Sequence, residues 1–205
     1  VTLEFSEAVI EFSNADITIP NLVNGSGNTI PSGTLTTMSS NDNRTWEGTF
    51  TPATNAENAT NTLSLATSYT DPAGNNGTAK TTPNYTVDTR KPTLDEVTAV
   101  PTPTNDNTPN YTFRSNEAGN ISYAGGCSSS TSLASATDNN TITFIALDDG
   151  TTYSNCKITV TDSAGNVSNS LTITTFTVDT TDNTTSSSTT AVFGTSLFNS
   201  SYFGD

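Results

Sequence analysis

The chain of 205 residues contains no histidine, one methionine, one tryptophan and only two cysteines. Without histidine the commonest general base and metal ligand is gone, and neither cysteine has its usual partner for nucleophilic or zinc chemistry. No serine elbow and no phosphate-binding glycine loop is present either. The acids that do occur in pairs, Asp95–Glu96 and Asp148–Asp149, sit where solvated loops are expected. Enzymatic activity is therefore not expected. Basic residues number six against twenty acidic ones, a net charge of −14. That balance argues against nucleic acid and against an anionic membrane surface as partners. No apolar run approaches the roughly 18 residues that a membrane helix needs, so membrane insertion is not expected.

Serine and threonine supply roughly a third of the chain, while hydrophobic residues make up 31 % and charged residues 13 %. Short runs alternate apolar side chains with threonine: Tyr111 and Phe113 around Thr112, Ile142 and Phe144 around Thr143, Ile158 and Val160 around Thr159. Such alternation marks half-buried strands with one wet face. Gly, Pro, Asn and Asp punctuate these runs, and no segment sustains a 3.6-residue period. "AENATNTLSLA" reads as a polar turn followed by a strand, and Asn21 to Gly33 as a polar, turn-rich loop.

The chain also repeats itself. "DPAGN" at Asp71 returns as "DSAGN" at Asp162, and "YTVDT" at Tyr85 returns as "FTVDT" at Phe176, each 91 positions on. Two motifs with one offset describe a tandem repeat. The fold expected is all-β: two immunoglobulin-like β-sandwiches in series, over residues 1–89 and 90–180, and a C-terminal extension over 181–205. About seven short strands in each fit that arithmetic. The repeats differ in two ways. Glu7 to Asp71 spans 19 positions more than Glu117 to Asp162, and the Asn21–Gly33 loop is a plausible place for part of the excess. The first copy also has only six residues before Glu7, so its opening strand is expected to be missing. A start at Val1 without a signal peptide fits a processed chain or part of a longer one.

The ordered series "FSEAV", "ADITI", "FTP" and "YTDPAGN" resembles the bacterial Ig-like repeats found in tandem in large secreted adhesins and biofilm surface proteins. "NYTF", "GNISYAGGC" and "YSNCKITVTDSAGN" look like a second, related type, and together the resemblance covers residues 1 to about 180. It implies an extracellular or cell-surface structural role: a filament subunit or an adhesin stalk. One departure is Tyr153, three residues before Cys156 rather than two, so the tyrosine corner of antibody domains is not expected.

Four features remain as candidate sites. Cys127 and Cys156 are expected to form a disulfide, which implies an oxidising compartment; two buried thiols are the alternative. The resemblance implies calcium at the domain junction, for which Asp88, Asp95, Glu96 and Asp106 offer oxygen ligands. Asp71 and Asp162 read instead as caps of their own tight turns. Trp46, in "RTWEGTF", reads as a core residue; as a sugar platform, with the Asn21–Gly33 loop, it would make the chain a glycan- or surface-binding module. Finally, "TDNTTSSSTT" is a spacer that precedes an apolar stretch holding Val192, Phe193, Leu197, Phe198, Tyr202 and Phe203. A sandwich missing an edge strand and a chain carrying an unassigned apolar strand are complementary. The partners expected are therefore copies of the same chain, joined head to tail, or neighbouring domains of a longer adhesin.

Overall fold

The computed structural model describes residues 1–136 and 138–181, and in them the chain is all-β, with antiparallel strands and one 3-10 turn at Asn14–Asp16. Among the described residues no helix is long and apolar enough to cross a membrane.

The second sandwich follows its alternation closely. Leu94–Thr98, Asn110–Ser115 and Asn139–Thr143 form one sheet, in that order. Leu133–Ala134, Gly119–Ala124, Lys157–Thr161 and Leu171–Thr172 form the other. Tyr111, Phe113, Ile142, Ile158, Val160 and Phe176 turn inward and are almost completely buried. On the outer face Thr112 and Thr141 meet hydroxyl to hydroxyl at 2.9 Å, the cross-strand pairing expected of wet-face threonines. "SLTITTFTVD" divides in two: Leu171–Thr172 pairs with Lys157–Thr161, and Phe176–Thr177 pairs with Thr152–Tyr153. Cys127 and Cys156 are joined by a disulfide with Cα atoms 5.3 Å apart. It ties the end of the Gly119–Ala124 strand to the start of Lys157–Thr161. Despite its spacing, the Tyr153 hydroxyl accepts the Asp148 backbone N–H at 2.8 Å and so holds that corner as a tyrosine corner does.

The first sandwich is built from shorter pieces. Thr2–Glu4 pairs with Thr45–Glu47, and Ile17–Thr18, Ser64–Leu65 and Lys80–Thr81 form a small sheet. Its main core packs Val9, Phe12, Met38 and Tyr69 with Leu3 and Trp46. Trp46 makes a T-shaped contact with Phe12, ring centroids 4.9 Å apart, with its Nε1 buried, and so packs against the core as a half-buried residue.

Two segments differ from the sequence expectation. Asn21–Gly33 is a hairpin, Asn21–Val23 against Thr29–Pro31, rather than a loop. The Asn24 side chain accepts the Ser26 and Asn28 N–H groups and Gly27 takes φ 79°, so polar residues build the turn, while Leu22 is buried against Ala56 and Val87. "ENATN", read as a turn, is the Glu57–Asn61 strand, paired with Tyr85–Asp88. Side-chain amides hold this edge: Asn61 Nδ2 donates to the carbonyls of Asn58 and Tyr85, and Asn84 Oδ1 accepts the Asn61 N–H.

Candidate functional site

The functional geometry lies at the ends of the sandwiches, where the repeated motifs fall. In each D-x-A-G-N turn the aspartate caps its own loop. Asp71 Oδ1 accepts the N–H groups of Ala73 and Asn75, both at 2.8 Å, and Asp162 Oδ1 accepts those of Ala164 and Asn166 at 2.9 and 2.8 Å. The asparagine side chain closes the other carboxylate oxygen, at 2.6 Å in the first turn and 2.8 Å in the second. Gly74 and Gly165 take φ 87° and 93°, a region that side chains with a Cβ avoid. The capping role expected for both aspartates is thus what the geometry shows.

Hydrogen bonds from the Asn75 side chain and backbone hold the Asp71 carboxyl below its ordinary pKa. At Asp162 burial pushes upward, but the bonds from Asn166 and Ala164 outweigh it and the net shift is also downward. A carboxylate with a depressed folded pKa stabilises the fold above its unfolded pKa and stops doing so as pH falls through the folded value. Acidification below the ordinary aspartate pKa of about 3.9 is therefore expected to loosen both turns. Asp162→Asn should flatten the acid limb of a circular-dichroism titration, and an unchanged limb would contradict the assignment.

The junction between the sandwiches is built on the second of these turns. Asn166 Nδ2 also reaches the carbonyl and carboxylate of Asp88, at 3.3 and 3.4 Å. Arg90 lies between Glu57 and Glu117, at 3.6 and 3.5 Å. Thr93 and Asn116 then exchange bonds, Thr93 N–H to Asn116 Oδ1 and Asn116 N–H to the Thr93 carbonyl, and deliver the chain into Leu94–Thr98. Asp88, Glu117 and Asp162 each bring a carboxylate oxygen within 4.8 Å of the others. Burial, and beyond it the negative charges of Glu57, Asp88 and Asp162, lift the Glu117 carboxyl above its ordinary pKa despite Arg90.

Of the four residues expected to hold calcium, the structure brings only Asp88 to this cluster. Asp95 stands opposite Arg114 in the sheet. Glu96 accepts the Thr174 hydroxyl and N–H at 2.6 and 3.0 Å, and Asp106 caps Thr108. Glu117 was not singled out in the sequence as a site residue, and Asn166 only with Asp162 in its D-x-A-G-N turn. Their signal is the repeat itself, because the motifs that recur are those that meet at the junction. As a metal site the cluster fits in part: its carboxylates are hard oxygen donors, but Asn166 presents an amide nitrogen and Arg90 already supplies a positive charge.

Away from the junction, the first sandwich has an edge that is unpaired among the described residues. Ile10 faces Thr70 as Asn120 faces Thr161, so Thr2–Glu4 corresponds to Thr112–Arg114. Asn110–Ser115 is paired on both sides, by Leu94–Thr98 and Asn139–Thr143. Among the described residues Thr2–Glu4 is paired on one side only. The Val1 carbonyl accepts the Gly48 N–H and the Phe5 N–H donates to the Arg44 carbonyl, both at 3.0 Å. By antiparallel alternation, the backbone groups of Thr2 and Glu4 point to the free edge. Beside that edge lies a cleft of about 420 Å³ bordered by Leu3, Phe5, Leu65 and Tyr69. An apolar extension of about 170 Å³ runs between Val1, Ile17 and Leu63. In the second sandwich Leu94 packs against the core from the strand that flanks the corresponding edge. The apolar segment at 192–203 lies outside the described residues.

Comparison with curated proteins and with solved structures finds no match. The first sandwich does match a family: residues 1–87 fit the model of the bacterial Ig-like domain.

Proposed function

We propose that the protein is a structural building block of an extracellular surface appendage, and that its copies join head to tail when residues 191–205 of one chain add as a strand to the first sandwich of the next. The observation that carries this reading is the unpaired edge of Thr2–Glu4 with the cleft beside it and its apolar extension, at the position where the second sandwich is flanked by Leu94–Thr98. An unpaired edge beside exposed apolar surface is a template for an added strand. Docking of this kind does not close on itself and produces a filament. The bacterial Ig-like match and the disulfide support an extracellular or surface setting. Electron microscopy of the purified chain tests the reading. Filaments with an axial repeat of one two-sandwich unit are expected, and particles that remain monomeric at high concentration would count against it.

Calcium at the sandwich junction is a second reading, favoured by the convergence of Asp88, Glu117 and Asp162. If it holds, calcium should raise the melting temperature by a few degrees over a chelator control, in line with ligand linkage, and Glu117→Gln should remove the rise. Identical melting curves with calcium and with chelator would leave Arg90 as the counter-charge of the cluster.

A further inference from the structure

The junction inside the chain is also a template for a junction between chains. We propose that the D-x-A-G-N turn of the first sandwich is the docking face for the Val178–Asp179 exit of a second copy, with Asn75 donating to Asp179 as Asn166 donates to Asp88. This proposal rests on the head-to-tail reading above and adds to it the end-to-end contact that would set the two chains in line.

Both halves of the contact are present in the fold, each in the conformation that its repeat uses. On the donor side, Asp88 Oδ1 accepts the Arg90 N–H at 3.3 Å, and Asp179 Oδ1 accepts the Thr181 N–H at 3.2 Å. The valine before each aspartate is buried, Val87 at 2 % and Val178 at 0 % exposure, so both exits leave a sandwich at a fixed point. On the acceptor side, Asn75 is held on Asp71 as Asn166 is held on Asp162. Asn166 is half-buried, with its amide bonded to Asp88, whereas Asn75 is exposed. Glu117 is likewise half-buried beside Arg90, while its counterpart Glu7 is exposed. Asp71, Asn75 and Glu7 also border the cleft that runs along the free edge of Thr2–Glu4. A single seat would thus take both the exit of one chain and the strand that follows it.

The repeat is incomplete at one position. Thr181 stands where Arg90 stands at the internal junction, so the ion pairs to Glu57 and Glu117 have no equivalent between chains. The intermolecular contact is then the weaker of the two, and the strand supplied by residues 191–205 carries the greater part of the affinity.

The test uses the full chain under filament-forming conditions. Ser163 and Ala164 border the same cleft as Val87 and Asp88, so Ala73 of one copy and Thr180 of another should come close. Chains carrying Ala73→Cys and chains carrying Thr180→Cys are mixed and treated with a short bismaleimide. A heterodimer seen only in the mixture is the expected result. In parallel, Asn75→Ala should raise the concentration for half-assembly about tenfold, the usual effect of losing a hydrogen bond to a charged group. Filaments that form without the cross-link, and with Asn75→Ala neutral, overturn this contact and leave strand donation standing. A chain that does not assemble overturns both.

Discussion

Chains that lack residues 191–205 are expected to fold normally and to lose assembly altogether. Among the described residues each sandwich has a core of its own: Tyr111, Phe113, Ile142, Phe144, Phe176 and their neighbours in the second, and Phe12, Met38 and Tyr69 with their neighbours in the first. In the proposed assembly residues 191–205 would cover Leu3, Leu65 and Ile17 beside the unpaired edge and meet the backbone of Thr2 and Glu4. Each large apolar side chain buried there contributes about 1.5–3 kcal/mol, and each ladder hydrogen bond about 1 kcal/mol. A donor with several of the apolar residues between Val192 and Phe203 would therefore offer the principal driving force for the proposed docking. Light scattering against concentration reads the result directly. Assembly that survives the deletion would mean that another surface joins the chains.

Removal of the Cys127–Cys156 disulfide should have the largest effect on stability of any two-residue change. The bond closes a loop with a sequence separation of 29, and the loop-closure model assigns such a link roughly 3.5 kcal/mol. Cys156 is fully buried and Cys127 nearly so, so the replacing serines would also leave hydroxyls in an apolar setting. For a unit of this size the melting temperature should fall by roughly 15–25 °C in the Cys127→Ser/Cys156→Ser double variant. The loss should be confined to the second sandwich, because the first holds no cysteine. Calorimetry would show one transition moving and the other holding its place. If both shifted together, the sandwiches would be unfolding as one unit through the Asp88–Asn166 and Arg90 contacts.

The second sandwich was legible in the sequence because its strands are long enough for alternation to show. Tyr-Thr-Phe and Ile-Thr-Val declare which face is buried, and the sheets follow. The first sandwich was harder to read because its strands run to only two to five residues and several are held by polar side chains. Glu57–Asn61 has almost no hydrophobic pattern, and asparagine amides complete its ladder. The hairpin at Asn21–Gly33 looked like a loop because Leu22 is its one buried hydrophobic side chain. At the candidate site, the turn-capping aspartates were visible from local spacing. The cluster of Asp88, Glu117 and Asp162 was not, since its members come from three separate segments that only the fold brings together. Asp95 and Glu96 were close to Asp88 in sequence, but the Leu94–Thr98 strand turns them to Arg114 and Thr174 instead.

The central claim is that the free edge of Thr2–Glu4 receives a strand from another copy. Hydrogen exchange at the backbone amides of Thr2 and Glu4 tests it most directly, since unpaired edge amides exchange freely and ladder amides do not. In chains lacking residues 191–205 both amides should exchange at rates close to those of an open loop. In the assembled full-length protein they should be protected by orders of magnitude, as expected for their counterparts Thr112 and Arg114 on the side paired with Leu94–Thr98. Equal exchange at Thr2 and Glu4 in the two samples would contradict strand donation outright.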